Sequence, residues 1–532
     1  MPFQIEKISL LQTGLLSPLM CDYLFETEKV KSLYSFAAKE EYVPNFIEQK
    51  KAQKINRTEL NKVLMQQFEK RKFSPSTQLN IESLKQENTF SITCAHQPTL
   101  LFHPAFFFHK IASTIALAKQ FNERFSDYHF VPVFWLGSED HDFEELGNAF
   151  LANKKIEWQT EQKGAVGRFL LNDNFKQILA DFKLAYPALN IHSLCDDALK
   201  HTSNFGEFTA FVVQAFFSEY GLVVLNQDDA LLKKLFAPVI EDEVLHSRAE
   251  KVLQPTIEFL ESNYKTQATV RPINFFYIGN NYRERMVRVG ENNIEVLHQS
   301  ISFSEASIKK EIAEKPENFS PNVMFRPLFQ ETVLPNVAFV GGGAECSYWL
   351  QQKALFDYYQ VAFPMVVHRT PVVVVPQSIS RKAEKLQLST AQIFNREDVL
   401  IKNYLSENFG EEISLAQATQ NIEAVFTQIE QKIAAVDATL TASVKAEKQK
   451  TIAAVAQLEG KALKALKRKS ETVVEQLKSI YQCYFVDGKL QERKVNFFDL
   501  PDEKNLLEAI IASSKPLENE LLVLKNFNQA SA

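Results

Sequence analysis

Residues 91–142 constrain the chain more than any other stretch. SITCAH (91–96) reads as a short buried strand ending in Cys94-Ala95-His96-Gln97-Pro98. A helical segment follows from Pro104 to Phe121, with Phe108, Ile111, Ala112 and Ile115 on its buried face and Pro104 where a first turn tolerates it. A second apolar strand, FVPVFWLGS (130–138), runs directly into Glu139-Asp140-His141-Asp142. Strand, helix, strand in this order is a βαβ unit, whose strands lie parallel with a right-handed crossover. His96-Gln97 and Glu139–Asp142 both follow strand carboxyl ends, so they should share one rim of the sheet, the rim where open α/β sheets bind ligands.

The rest of the first 377 residues extends that unit. Residues 222–226, 337–341 and 364–368 are further apolar strands separated by helical patterns, which makes five parallel candidates with 91–95 and 131–136. The expected fold class is α/β, a Rossmann-type doubly wound parallel sheet over 1–377. Two stretches break the alternation and read as insertions, 145–205 and 265–315. Within the second, 272–297 alternates apolar and polar residues around Gly-Asn-Asn and Gly-Glu-Asn-Asn, a pattern of antiparallel strands. Residues 1–90 read as mostly helical, with Leu60, Leu64 and Phe68 on one stripe, and 229–263 reads as one long helix.

Past 378 the character changes. From Leu415 to Tyr481 there is no proline and one glycine, Gly460. Ile422, Val425, Ile429, Ile433, Val436 and Leu440 form one three-four stripe; Ile452, Val455, Leu458, Ala462, Leu466, Val473, Leu477 and Ile480 form a second. Two such arms predict an antiparallel coiled-coil hairpin over 378–482, turning within 438–448, with one continuous helix of ~100 Å as the alternative. Lys461, Lys464, Lys467, Arg468 and Lys469 read as a solvated face of the second arm. The tail, 483–532, is expected to pack back on the core, and the apolar seam points to a homodimer.

A formal net charge of -6 gives no general electrostatic case for nucleic acid or a membrane surface. Five scattered cysteines without a CxxC pair fit a reducing, cytoplasmic setting better than a disulfide or zinc framework. No apolar run approaches the ~20 residues of a membrane span, and the N-terminus has no signal-peptide layout.

Several groups carry chemistry. His96 and Gln97, just past the first strand, can hydrogen-bond a phosphate or carbonyl and orient a polar ligand; the competing reading is a turn before the next helix. His109-Lys110 near a helix start suits an anionic ligand, against a packed histidine beside a solvated lysine. Glu139, Asp140, His141 and Asp142 could hold Mg²⁺, take a proton from an amine or bind a cation, against a solvated acidic turn. Asn322 and Arg326 bracket a strand-like run, and the arginine suits a carboxylate or phosphate, against a structural ion pair. Gly341-Gly342-Gly343 opens a helix whose N–H groups could approach an anion, with Glu345, Tyr348 and Trp349 one turn on as candidate substrate contacts; the two aromatics could equally be core. Cys94 and Cys346 read as buried small residues rather than nucleophiles.

Taken together, His96-Gln97-Pro98 with His109-Lys110, VPVFWLGSEDHDFEE (131–145), SPNVMFRPLFQE (320–331), AFVGGGAECSYW (338–349) and Gln491-Glu492-Arg493 resemble the cysteine-adding ligase family of bacillithiol biosynthesis, BshC. These segments span most of the chain. The resemblance implies a Rossmann-type core with two connecting-peptide insertions, a coiled coil, and addition of L-cysteine to the amine of glucosaminyl-malate as the last step of the pathway. The HxGH pair and KMSKS loop of class I synthetase-type nucleotidyltransferases are missing. Because a carboxylate does not acylate an amine unaided, ATP is the expected activator, with Mg²⁺ as its companion. Under that hypothesis His96, His109, Lys110 and Gly341–Gly343 serve the phosphate side. Glu139, Asp140 and Asp142 hold Mg²⁺ or the amine, His141 is a base, and Arg326 takes the malate carboxylate. A nucleotide-binding scaffold without catalysis and a metal-dependent hydrolase built on Glu139–Asp142 are the alternatives from other function classes.

Overall fold

A computed structural model describes residues 3–69, 71, 73–152, 154–290, 293–409 and 415–526; Glu291 and Asn292 of the second predicted turn, and the side chains of Lys464, Leu466, Lys467 and Lys469, lie outside the described residues. The described residues fall into two compact units, one holding 3–11, 15–374 and 490–526, the other 12–14 and 375–489.

The first unit is built on five strands, β1 (Thr89–His96), β2 (His129–Leu136), β3 (Val223–Asn226), β4 (Asn336–Gly341) and β5 (Met365–His368). They pair in the order β5-β4-β1-β2-β3, every pair parallel. Successive side chains of a strand point to opposite faces. Phe130, Phe134 and Leu136 accordingly join one apolar cluster while Val131, Val133 and Trp135 join the other. Both faces are covered, which is why these strands read as continuous apolar runs. Helix α1 (Phe106–Arg124) links β1 to β2 and buries Phe107, Phe108, Ile111 and Ala112, with the Phe107 ring 5.3 Å from that of Phe134. The strand order reverses between β1 and β4. That reversal leaves a crevice at the strand carboxyl ends, because the connections depart in opposite directions.

The two stretches read as insertions carry their own structure. Between β2 and β3 lie a short hairpin (148–151 with 154–157) and the helices Phe143–Leu146, Asp173–Ala185, Ile191–His201 and Phe205–Phe217. The second forms most of an antiparallel sheet whose strands follow the order 301–304, 293–296, 282–289, 275–279, 319–321.

Two expectations change. The stretch 229–263 is two helices, α2 (Ala230–His246) and α3 (Arg248–Asn263), separated at Ser247, whose φ is 52°. The Glu243 carboxylate accepts the Ala249 N–H at 2.9 Å, a side-chain cap that starts the second helix anew. Residues 322–326 are not strand-like: the strand ends at Pro321, and Arg326 opens helix α4 (Arg326–Val333) with Pro327 in its first turn. The N-terminal segment is mostly helical as read, with one strand besides: Phe3–Ser9 pairs antiparallel with Glu520–Asn526 in a three-stranded sheet completed by Val372–Pro376. Helix α5 (Gly343–Gln351) follows β4.

In the second unit, α6 (Ala416–Ala434) and α7 (Thr441–Lys469) are joined by a turn at 435–440, overlapping the start of the range read from sequence. Leu415 N–H meets Glu459 at 3.4 Å and Glu430 meets Lys445 at 3.4 Å, so partners approach in sequence toward the turn. The arms are therefore antiparallel, and the single continuous helix is set aside. Helix α8 (Glu471–Tyr484) buries Val474, Leu477 and Ile480 in the same unit. No helix among the described residues is long and apolar enough to cross a membrane.

Candidate functional site

The crevice at the β1/β4 reversal holds a cavity of about 240 Å³. Pockets for whole small molecules run to roughly 300–1,000 Å³, so this volume suits a reacting centre rather than two entire substrates. Its walls come from β1 and the turn after it (Ala95, His96, Gln97), α1 (Phe106, Lys110), α4 (Arg326, Gln330), the start of α5 (Gly342, Ala344, Glu345, Tyr348), Arg369 after β5, and Arg493.

His96 ends β1 with its ring between Phe106 and Phe107, at centroid distances of 5.5 and 5.1 Å. Its Nδ1 lies 3.0 Å from the Gln97 carbonyl oxygen, which can only accept, so Nδ1 carries the proton and Nε2 keeps a lone pair. Burial, helped by the Lys110 charge, pushes the imidazole pKa down to about 4, and the ring is neutral near pH 7. Lys110, on α1, donates to the Ala95 carbonyl at 2.8 Å and pairs with Glu345 at 2.6 Å. Glu345 also accepts the Gly342 N–H at 2.8 Å, closing the first turn of α5. Burial alone would raise the Glu345 pKa, but the Lys110 ammonium and that N–H outweigh it and hold the carboxyl below its usual range.

The turns after β1 and β2 meet, as the βαβ geometry requires. Gln97 donates to Asp140 at 3.0 Å, and Arg326 lies 3.5 Å from the same carboxylate oxygen. Arg326, Arg283 and these hydrogen bonds overcome burial and hold Asp140 far below the carboxylate range. The remaining members of the acidic quartet diverge. Glu139 is buried, paired with Lys233 of α2 at 2.5 Å, and accepts from Gln227 and Ser320 at 3.0 Å each. His141 accepts from Arg283 of the second insertion at 2.6 Å, and Asp142 caps residues 143–146 by accepting the Glu145 N–H. The quartet thus ties the insertion to the sheet, and Asp140 meets the cavity from behind its wall, through Gln97 and Arg326. Among the described residues no three His, Cys, Asp or Glu side chains gather as metal ligands. A shared Mg²⁺ or a hydrolytic metal centre at 139–142 therefore lacks its ligand set.

Other candidates separate in the same way. His109 faces away from the cavity, with Nδ1 2.9 Å from Glu492, so the His109-Lys110 pair is split by the helix. Asn322 donates to Asn274 at 2.9 Å and accepts the Met324 N–H, a turn-forming role. Gly341 is packed rather than open: a Cβ there would lie 2.6 Å from the Phe339 ring, itself stacked on Trp349 at 4.1 Å. Trp349 is thereby mainly core, and only an edge reaches the cavity. Cys94 and Cys346 are buried, and burial pushes the Cys94 thiol up to about 12 and Cys346 higher, as inert core residues require. Gly342, Glu345 and Tyr348 stay at the crevice, whereas Gly343 is off the cavity wall, its Cβ position 3.6 Å from His368.

Residues 3–370 match the profile of the bacillithiol biosynthesis BshC N-terminal Rossmann-like domain, and 372–526 that of the BshC C-terminal coiled-coil domain. The chain belongs to the BshC family. It is 37% identical to a protein of Cytophaga hutchinsonii over 97% of both chains, and 35% identical to one of Flavobacterium psychrophilum over 98% of this chain and 99% of that one. Each of these relatives bears the name "Putative cysteine ligase BshC". In this BshC-family chain, all five of the segments that carried the resemblance supply cavity walls: His96-Gln97 with Lys110, Trp135 and Gly137, Arg326 to Gln330, residues of 342–349, and Arg493. Arg369, Gln227 and Phe106 went unassigned at the sequence level. Arg369 had one signal, its place directly after the last apolar strand; Gln227 and Phe106 had none.

Proposed function

We propose that this chain joins the carboxyl group of L-cysteine to the amine of glucosaminyl-malate, the last step of bacillithiol biosynthesis, at the expense of ATP. The observation that carries the reading is the convergence of segments far apart in sequence on one cavity at the strand-order reversal. ATP supplies a phosphate leaving group on the cysteine carboxyl. The N–H of Ala344, in the first turn of α5 where helical acceptors are lacking, would face that phosphate, with Lys110 on the same cavity wall. Mg²⁺ would have to arrive with the nucleotide, and no step is routed through it.

His96 provides the acceptor that amide formation needs. An amine N–H donated to Nε2 leaves the nitrogen lone pair aimed at the cysteine carboxyl carbon. The C–N bond forms as the bond from that carbon to the leaving phosphate oxygen breaks, and the amine proton passes to Nε2. Glu345 lies near enough to favour the imidazolium so formed. Gln97 and Arg326 fix Asp140 at the rim, where its carboxylate can hold the incoming amine. We also propose a homodimer that covers the exposed Val425, Ile429 and Leu458 of the hairpin.

The test is direct. Purified protein given L-cysteine, glucosaminyl-malate and ATP should yield a product at the summed mass of the two substrates less water, with AMP or ADP identifying the bond of ATP that is cut. No product under these conditions overturns the reading.

A further inference from the structure

The cations around the cavity are not equivalent. Lys110 is neutralised by Glu345 at 2.6 Å and Arg326 by Asp140 at 3.5 Å. Arg369 is buried and gives its two terminal nitrogens to Glu492 at 2.8 and 2.5 Å. That grip uses one edge of the guanidinium and leaves Nε–H on the other, beside Gly342, whose Cβ position would lie 3.9 Å from it. Arg493 differs from all three. It lines the cavity, is solvent-exposed, and makes no ion pair or hydrogen bond through its guanidinium among the described residues. It lies over the Phe106 ring at 6.0 Å, with Arg369 over the same ring at 5.2 Å.

Two arginines sharing one aromatic ring repel each other unless an anion joins them. Glu492 grips Arg369 from behind and reaches Arg493 only through space. Partial burial of the guanidinium against the cavity wall and the neighbouring Arg369 push the Arg493 pKa down, and Glu492 and Glu345 offset this only in part. The first-turn N–H groups of α5 line the same side and add partial positive charge there.

We propose that Arg493 and the Nε–H of Arg369 form an oxyanion clamp that fixes a carboxylate or phosphate of the substrate, with Glu492 as the positioning residue that holds Arg369 in place. Consecutive residues of the C-terminal segment then have divided work: one aligns a cation and the next supplies one. The clamp deepens the proposed ligase reading by naming the substrate class held at that wall. It takes over the anion contact assigned to Arg326, whose charge is spent on Asp140.

The experiment measures binding, so it does not depend on turnover. Titration calorimetry of the full chain with glucosaminyl-malate, L-cysteine and ATP in turn should show R493Q weakening one of the three by about tenfold or more, a loss in the range of a charge-assisted hydrogen bond. The other two should stay within twofold, and the ligand that weakens identifies the oxyanion. Its affinity should also fall less steeply with added salt in R493Q than in wild type. R493K should recover part of the loss, since charge is kept and the planar fork is not. E492D should weaken the same ligand and no other, a selectivity that general loosening of the fold would not produce. Wild-type protein that binds none of the three, or R493Q within twofold for all of them, overturns the clamp. A wild type that binds but forms no product would overturn the ligase reading while leaving the clamp standing.

Discussion

Glu492 accepts both terminal nitrogens of Arg369, at 2.8 and 2.5 Å, across 123 residues of sequence. The same carboxylate takes the Val372 N–H at 3.1 Å and sits 2.9 Å from His109 Nδ1. Burial opposes its charge, yet Arg369 and His109 hold it far below the ordinary glutamate range. Removing the carboxylate strands a buried guanidinium. E492A should destabilise the first unit by about 3–5 kcal/mol. Urea unfolding followed by tryptophan fluorescence measures this, and a loss under 1 kcal/mol would show that the pair contributes little.

His96 should matter for turnover and little for folding. H96Q keeps the size and polarity of the wall but loses the acceptor nitrogen. Turnover should drop by about 10²–10⁴, the usual worth of a positioned acid–base group, with melting temperature nearly unchanged. A variant within threefold of wild-type rate would remove His96 from the reaction.

Acid should weaken the fold earlier than the carboxylates alone would dictate. Burial pushes His96, His103 and His368 down to about 4, with Lys110, Lys494 and Arg369 respectively adding to the shift. Their unfolded value is about 6.5, so between pH 6.5 and 4 the unfolded chain binds protons that the folded chain refuses. Stability from these rings is therefore complete above pH 6.5 and is lost as pH falls toward 4, by up to about 1.4 kcal/mol per pH unit for each. Urea midpoints taken from pH 7.5 to 5 should slope downward, and H103Q/H368Q should flatten that slope. A flat wild-type profile contradicts the assignment.

The Glu139–Lys233 pair makes the fourth prediction. K233M leaves a buried carboxylate uncompensated and should cost about 3–5 kcal/mol, whereas E139Q/K233M, with no charge left, should recover most of it. If Glu139 instead held a metal or amine, the double variant would fold well and lose all turnover. Activity of that double variant, alongside its unfolding curve, separates the two roles.

The hairpin predicts an assembly. V425D/I429D should shift sedimentation from dimer to monomer if those exposed side chains form the proposed seam. An unchanged sedimentation coefficient moves the interface elsewhere.

The chain's local chemistry determined much of this protein. Continuous apolar runs bounded by turns made β1 and β2 readable, and their parallel pairing forced the turns at 97 and 140 onto one rim, where Gln97 and Asp140 touch. The three-four stripes of 422–440 and 452–466 specified the two antiparallel arms, because a helical period is a property of neighbours in sequence, whereas 473–480 lies on the separate helix α8.

Only the tertiary structure decided which ionisable residues face the cavity. Glu139 and Asp140 are adjacent in the chain, yet one pairs with Lys233 in the interior and the other meets Arg326 at the rim. His109 and Lys110 are likewise parted, since neighbours on a helix point about 100° apart. Glu492 and Arg493 acquired their places when the C-terminal segment returned to the first unit and the strand 520–526 paired with 3–9. Sequence spacing fixes direction along one element. The partner that neutralises a buried charge is supplied by whatever other element packs against it, and that information resides in the fold.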